Sequence, residues 1–237
     1  MNDDDLQAAA IAFAKSNKEA IARELTDTAI YRPDDAPASV FMAGSPGAGK
    51  TEFSKAVLSL LEKRTKHHVL RIDSDDFRSR IPGYTGKNSY LFQGAVSIIA
   101  EKVHDKALSN GQTFIFDGTL SKYEKAADNI RRSLDKKRAV FVFYVYQRPE
   151  VAWKFTVARE QAEGRHIPKA AFIEQFLSAR GTVERIAKDF GPDVTIMLVK
   201  KDFEKNTVES IVDIDTESPV DAYIRERYTE EDLVSLL

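Results

Sequence analysis

The sequence contains no cysteine among its 237 residues, which excludes disulfides, thiolate nucleophiles and cysteine-based zinc sites and suits a reducing compartment. It also carries little net charge: 35 Lys and Arg against 37 Asp and Glu leave −2 at pH 7. No broad electrostatic grip on nucleic acid is expected from that balance. No apolar run approaches the roughly 20 residues that span a bilayer. The opening Met1-Asn2-Asp3-Asp4-Asp5 is acidic where a secretory signal would be basic. Together these predict a cytoplasmic chain with no nucleic-acid and no membrane partner. Internal repeats and low-complexity tracts are absent, as is the N-K-x-D sequence by which GTP-driven switches read guanine. What remains, 43% hydrophobic and 30% charged residues, is the make-up of one large globular domain with appendages.

The rest of the chain is arranged around Gly44-Ser45-Pro46-Gly47-Ala48-Gly49-Lys50-Thr51, which fits the phosphate-binding pattern G-x-x-x-x-G-K-[ST] at every fixed position. The apolar run Val40-Phe41-Met42-Ala43 leads into it as a buried strand. Glu52, Phe53, Ala56, Val57, Leu60 and Leu61 follow at the spacing of one helix face, so strand, glycine loop and helix stand in the required order. Glycines let successive N–H groups point inward, and the following helix adds the positive end of its dipole at the same place. ATP or GTP is therefore the expected cofactor, with Lys50 reaching the β and γ phosphates and the Thr51 hydroxyl placed for Mg2+.

Alternating strands and helices predict a three-layer α/β fold with a mainly parallel central sheet of about five strands. We divide the chain into an accessory helical segment and linker over 1–38, a phosphate-loop kinase core over 39–205 and a helical extension over 206–237. Leu6, Ala9, Ala10, Phe13, Ile21 and Leu25 suggest one or two amphipathic packing helices in the first segment. A long helix is expected from about Leu91 to Ser109. Ala139 to Tyr146 is the most strand-like segment, near-continuously apolar and suited to the sheet centre. The run Asp135-Lys136-Lys137-Arg138 reads as helix-end charge.

Carboxylates stand where such a site needs them. The strand Val69-Leu70-Arg71-Ile72 ends in Asp73-Ser74-Asp75-Asp76, and in open parallel sheets ligands bind outside the carboxyl ends of the strands. Asp75 or Asp73 is a candidate base toward a substrate hydroxyl or a holder of magnesium, while one of the three caps the next helix. The strand Thr113-Phe114-Ile115-Phe116 ends in Asp117-Gly118-Thr119, either a second carboxylate near the metal or an ordinary Asp-Gly turn. Arg159 and Arg165 bracket a glycine-terminated helix end. They suit charge stabilisation on a transferring phosphoryl group better than surface pairing with Glu160 or Glu163.

These features in this order resemble the zeta-toxin family of phosphate-loop kinases, the toxin component of bacterial toxin–antitoxin systems, from about residue 40 to 200. The carrying residues are the loop, Ile72-Asp73-Ser74-Asp75-Asp76-Phe77-Arg78, Phe116-Asp117-Gly118-Thr119, and the segment from Arg159-Glu160 to Gly164-Arg165. The resemblance implies phosphorylation of the 3′-hydroxyl of the amino-sugar of UDP-N-acetylglucosamine or a related UDP-sugar, which would block cell-wall precursor synthesis. It implies Asp75 as base, Glu101 and Thr119 as substrate contacts, and Arg159 and Arg165 as ligands of the transferring phosphate. An antitoxin covering the nucleotide site is the implied partner. The chain departs from the family at Leu120-Ser121, where better-known members carry an arginine. A kinase with another small-molecule acceptor, such as a sugar, an antibiotic or a polynucleotide end, is the alternative.

Overall fold

A computed structural model describes residues 2–164, 166–202 and 207–237 of the chain. In chain order the elements are α1 (Asp3–Leu25), β1 (Ala38–Ala43), α2 (Lys50–Thr65), β2 (Leu70–Asp73), α3 (Ser74–Arg78), α4 (Gln93–Ser109), β3 (Phe114–Asp117), α5 (Tyr123–Leu134), β4 (Ala139–Tyr146), α6 (Pro149–Glu163), α7 (Lys169–Phe190), β5 (Thr195–Lys201), β6 (Val208–Ile214), α8 (Val220–Tyr223) and α9 (Glu230–Leu236). The strands form one six-stranded sheet in the order β2-β3-β1-β4-β5-β6, parallel except for β6. The stretch expected to be a purely helical extension thus begins with a strand. β6 pairs antiparallel with β5 and raises the sheet from about five strands to six. Its residues alternate between exposed and partly buried as an edge strand's do, a signal spread over only seven residues.

Period-two alternation sorts the sheet residues into two cores. Phe41 and Ala43 of β1, with Val140, Val142 and Tyr144 of β4, face the larger one, filled by α1, α4, α5 and α7. Val40 and Met42, with Val145 and Val199, face a smaller one closed by α2. In α2 the covering face is Phe53, Ser54, Val57, Leu58 and Leu61. Leu60, assigned to that face from its spacing, is 67% exposed, and Ala56 is exposed as well. The α1 segment is one unbroken helix, begun by a capping box in which the Asn2 side chain accepts from the Asp5 N–H and Asp5 returns to the Asn2 N–H. It lies along α4 and buries Ala10, Ala14, Ile21 and Ala22. The predicted long helix is a short 3-10 turn over Ser89–Phe92 running into α4.

The linker before β1 is pinned by buried polar groups. The Gln112 amide donates to the carbonyls of Thr26 and Tyr31. Asp34 accepts from the Thr113 N–H at 3.2 Å and stands 2.7 Å from His67 Nε2. Arg138, expected to be helix-end charge, is buried beneath the sheet instead. It donates to Ser39 Oγ at 2.7 Å, to the Ala38 carbonyl at 2.9 Å and to the Gln112 carbonyl. Burial pushes its pKa down to about 10, and its guanidinium lies 5.0 Å from the Phe114 ring centre. His104, fully buried against Phe41, Phe114 and Phe116, is held neutral with its pKa pushed down to about 3, chiefly by burial.

The His67 pKa is raised, first by its contact with the His68 carbonyl, which burial opposes and Asp34 reinforces. A raised folded-state pKa favours the protonated fold. The stabilisation is complete below the unfolded value of about 6.5 and is lost as pH rises through the higher folded value. Urea midpoints of the wild type are therefore expected to fall between pH 6 and pH 9 by more than those of His67→Gln; identical slopes would assign the loss to other groups.

Candidate active site

The loop owes its shape to the closeness of its neighbours. Gly44 has φ +136°, and a Cβ there would lie 2.3 Å from the Val145 carbonyl oxygen. Gly47 has φ +70°, and its Cβ would lie 2.0 Å from the Ala152 carbonyl oxygen and 2.7 Å from Thr156 Oγ1. Neither contact is possible for a residue with a side chain. The loop is seated between the end of β4 and the first turns of α6, and it is also held by the Gly44 N–H donating to the Thr119 carbonyl at 3.1 Å. Gly49, in the left-handed region, begins α2 without any side-chain cap, so the first N–H groups of a 16-residue helix are left for a ligand. Lys50 folds back over the loop and donates to the Ser45 carbonyl at 2.7 Å. Ser45 and Ala48 are buried, whereas Pro46 and Thr51 are partly exposed.

The carboxylates divide their roles. Asp73 is the N-cap of α3, accepting from the Asp75 N–H at 2.9 Å. Its pKa is raised to about 6, first by burial and then by the nearby charge of Asp75. Asp75, the next carboxylate along, is partly exposed. Arg78 Nε is 3.3 Å from its Oδ1, and Arg159 Nη2 on α6 is 3.9 Å from its Oδ2. Asp117 is buried, and its Oδ2 takes the Ser54 hydroxyl at 2.7 Å and Arg71 Nη2 at 2.7 Å. Ser54 also donates to the Thr51 carbonyl at 3.1 Å, so the turn bearing the Thr51 hydroxyl is tied to the strand end bearing Asp117. Hydroxyl, carboxylate and phosphate oxygens are the donors a hard cation such as Mg2+ takes, with one or two carboxylates the usual protein share. The donor set therefore fits magnesium, although one Asp117 oxygen is already engaged.

The structure brings Asp75 and Arg159 together, and it ties the loop to Thr119 and the turn after Lys50 to Asp117. Glu101 stands apart on α4, where Lys125 Nζ at 2.8 Å and Arg132 Nη2 at 3.3 Å engage its carboxylate. The Thr119 hydroxyl is 3.0 Å from Ser121 Oγ, and the intervening Leu120 takes a positive φ of 52°. Arg165 lies outside the described residues. The sequence reading missed Arg71 and Arg78. Arg78 is 4% exposed and holds the Ser89 carbonyl at 2.7 Å and Gln93 Oε1 at 2.8 Å while facing Asp75. Its only sequence signal is an arginine three residues after a candidate base. On α6 the residues facing the loop are Ala152 and Thr156, with Arg159 one turn further. Phe155, on the same helix, is 38% exposed.

The family model for Zeta toxin matches residues 21–217. The chain belongs to the zeta toxin family. Membership makes it a kinase of the toxin class. No curated protein matches it in sequence. Among solved structures, this zeta toxin is similar to one from the PezAT chromosomal toxin-antitoxin system of the human pathogen Streptococcus pneumoniae. They share 16% identity and a TM-score of 0.66, over 94% of this chain and 92% of that one. It is also similar to a chain of the AvrRxo1-ORF1:AvrRxo1-ORF2 complex determined with sulphate ions, with 17% identity, TM-score 0.58 and 89% of this chain covered. The same complex determined with ATP gives 17% and 0.57. This zeta toxin spans 66% and 65% of those two chains. At such identities the likeness concerns the fold, a phosphate-loop kinase-like one. Among the described residues no helix is long and apolar enough to cross a membrane.

Because the loop fits its seat only without side chains, Gly47→Ala is expected to cost about 1–3 kcal/mol through overpacking, read as a lowered urea midpoint, and to abolish nucleotide binding. Gly181→Ala, at an exposed helix position with nothing within 4 Å, is expected to stabilise by roughly 0.5–1 kcal/mol. Normal stability and binding in Gly47→Ala would show that the loop does not need this seat.

Proposed function

We propose that this zeta toxin transfers the γ-phosphoryl group of ATP or GTP, with Mg2+, to the 3′-hydroxyl of the amino-sugar of UDP-N-acetylglucosamine or a related UDP-sugar. The observation that carries this reading is the meeting of Asp75 and Arg159, 3.9 Å apart, on separate elements beside the phosphate loop. A carboxylate at that place accepts the hydrogen of a substrate hydroxyl. An arginine beside it offsets charge on the phosphoryl group as it moves from one oxygen to the other. Lys50 and the backbone of residues 44–51 hold the triphosphate. Thr51 and the remaining oxygen of Asp117 would hold the magnesium, whose chemistry is to offset phosphate charge and orient the chain.

Thr119, next to the loop's anchor, is placed for the acceptor side. Glu101 would reach the sugar only after its pairing with Lys125 and Arg132 is rearranged, so it is the least supported of the assigned contacts. Arg165 completes the phosphate ligands in this reading. An antitoxin that covers the nucleotide site is the expected partner. Its support is the likeness to a fold member described within a toxin-antitoxin system, and the ATP in another relative's structure supports the cofactor. Phosphorylated UDP-sugar would be withdrawn from cell-wall precursor synthesis, and these components place the reaction in the cytoplasm.

The test is to incubate the protein with magnesium-ATP or magnesium-GTP and a panel of UDP-sugars, free sugars, antibiotics and short oligonucleotides, following acceptor mass. One added phosphate on UDP-N-acetylglucosamine is expected. Turnover should fall at least about a hundredfold in Lys50→Ala, about 10²–10⁴-fold in Asp75→Asn and by about 10³ or more in Arg159→Ala. Phosphorylation of another acceptor alone would keep the machinery and discard the UDP-sugar. Full turnover by Asp75→Asn would remove the base.

A further inference from the structure

β5 ends in two adjacent lysines that the sheet treats differently. Lys200 is opposite Ser210, and its ammonium is 3.3 Å from Glu209 Oε1 across the edge of the sheet; Lys201 is opposite Val208, so the register slips between the two. Lys201 falls two residues after Val199, on the same face of the sheet as the core closed by α2, and is 5% exposed. Its Cε and Nζ both come within 3.2 Å of the point where a Cβ on Gly49 would stand, against the residue that begins α2.

Among the described residues no hydrogen bond or ion pair engages that ammonium. Glu52 lies on the same side, with Oε2 3.8 Å from the same point on Gly49, and offsets part of the charge without closing a pair. Burial holds the ammonium below the ordinary lysine range. The N-terminal end of α2 is itself the positive end of a dipole. A desolvated cation set beside it is unfavourable until an anion arrives to satisfy both. Lys50 already serves the interior of the loop through the Ser45 carbonyl, so the second lysine approaches a different flank.

We propose that Lys201 is a second cationic contact to the phosphate chain of the nucleotide, reaching it over Gly49 from the β5 side of the loop, whereas Asp75 stands on the β2 side. The proposal rests on the nucleotide site described above. It makes Lys201 a determinant of nucleotide affinity, remote from the acceptor hydroxyl, and so of KM for ATP more than of kcat.

The experiment titrates magnesium-ATP and inorganic tripolyphosphate into the wild type, Lys201→Met, Lys201→Arg and Lys50→Ala by calorimetry, and melts each protein without ligand. Lys201→Met is expected to weaken both ligands about ten- to a hundredfold, the loss of one charge-assisted hydrogen bond. Lys201→Arg should keep most of the affinity. The ligand-free Lys201→Met protein should melt no lower than the wild type, because an unpaired buried cation has been replaced by an apolar chain of similar length. Unchanged ATP affinity in Lys201→Met, with binding lost in Lys50→Ala, overturns the role of Lys201 and leaves the nucleotide site standing. Weakened ATP binding with unaltered tripolyphosphate binding overturns the phosphate contact. A markedly lower melting temperature in Lys201→Met makes the lysine structural and overturns the proposal too. A wild type that binds neither ligand overturns the nucleotide site itself.

Discussion

The carbonyls of Val145 and Ala152 come up to Gly44 and Gly47 so closely that a Cβ on either glycine would overlap them. Everything at the C-terminal end of the sheet depends on that approach. β1 and β4 run side by side with Val40 opposite Phe141 and Ala43 opposite Tyr144, so the loop leaving β1 necessarily meets the chain leaving β4. With side chains at 44 or 47 the two would be forced apart, and α6 would move away from the loop with Arg159 on it. Glycine here is less a source of freedom than the only residue thin enough for the packing.

Around this seat, buried or largely buried arginines tie neighbouring elements together. Arg71 joins β2 to β3 and α2 through Asp73, Asp117 and Ser54. Arg78 joins α3 to the turn before α4. Arg138 joins the start of β4 to β1 and to Gln112, two residues before β3. Buried charges of this type add little net stability after desolvation, but their directional donors admit few alternative registers. The strand ends are thereby fixed with their carboxylates in place, and the apolar packing beneath them supplies the cohesion.

Features written in short stretches of sequence were legible. The loop, the strand before it, the Asp-bearing ends of β2 and β3 and the near-continuous apolar run of β4 all depend on neighbours within a few residues. Failures occurred where a distant partner decides. Leu60 matched a helical spacing, but the buried face of α2 is set by which side of the sheet it covers, and Leu58 points there instead. Arg138 closes an ordinary charged run and is drawn inward only by the oxygens of Ser39, Ala38 and Gln112. β6 exists because β5 offers an edge. Of the candidate site, the residues proposed for the chemistry stand in motifs visible in the sequence, whereas the company they keep is not. Arg71 beside Asp117 and the pairing of Glu101 with Lys125 are contacts made across elements, and Arg78 meets Asp75 within the single turn of α3.

One helix holds both halves of the site. The first turns of α6 form the wall against which Gly47 rests, and two turns later the same rigid rod carries the guanidinium that faces Asp75. A rod supported near one end acts as a lever. A small tilt of that rod at Ala152 would therefore be a larger displacement at Arg159, so the aim of the arginine depends on how the loop is seated.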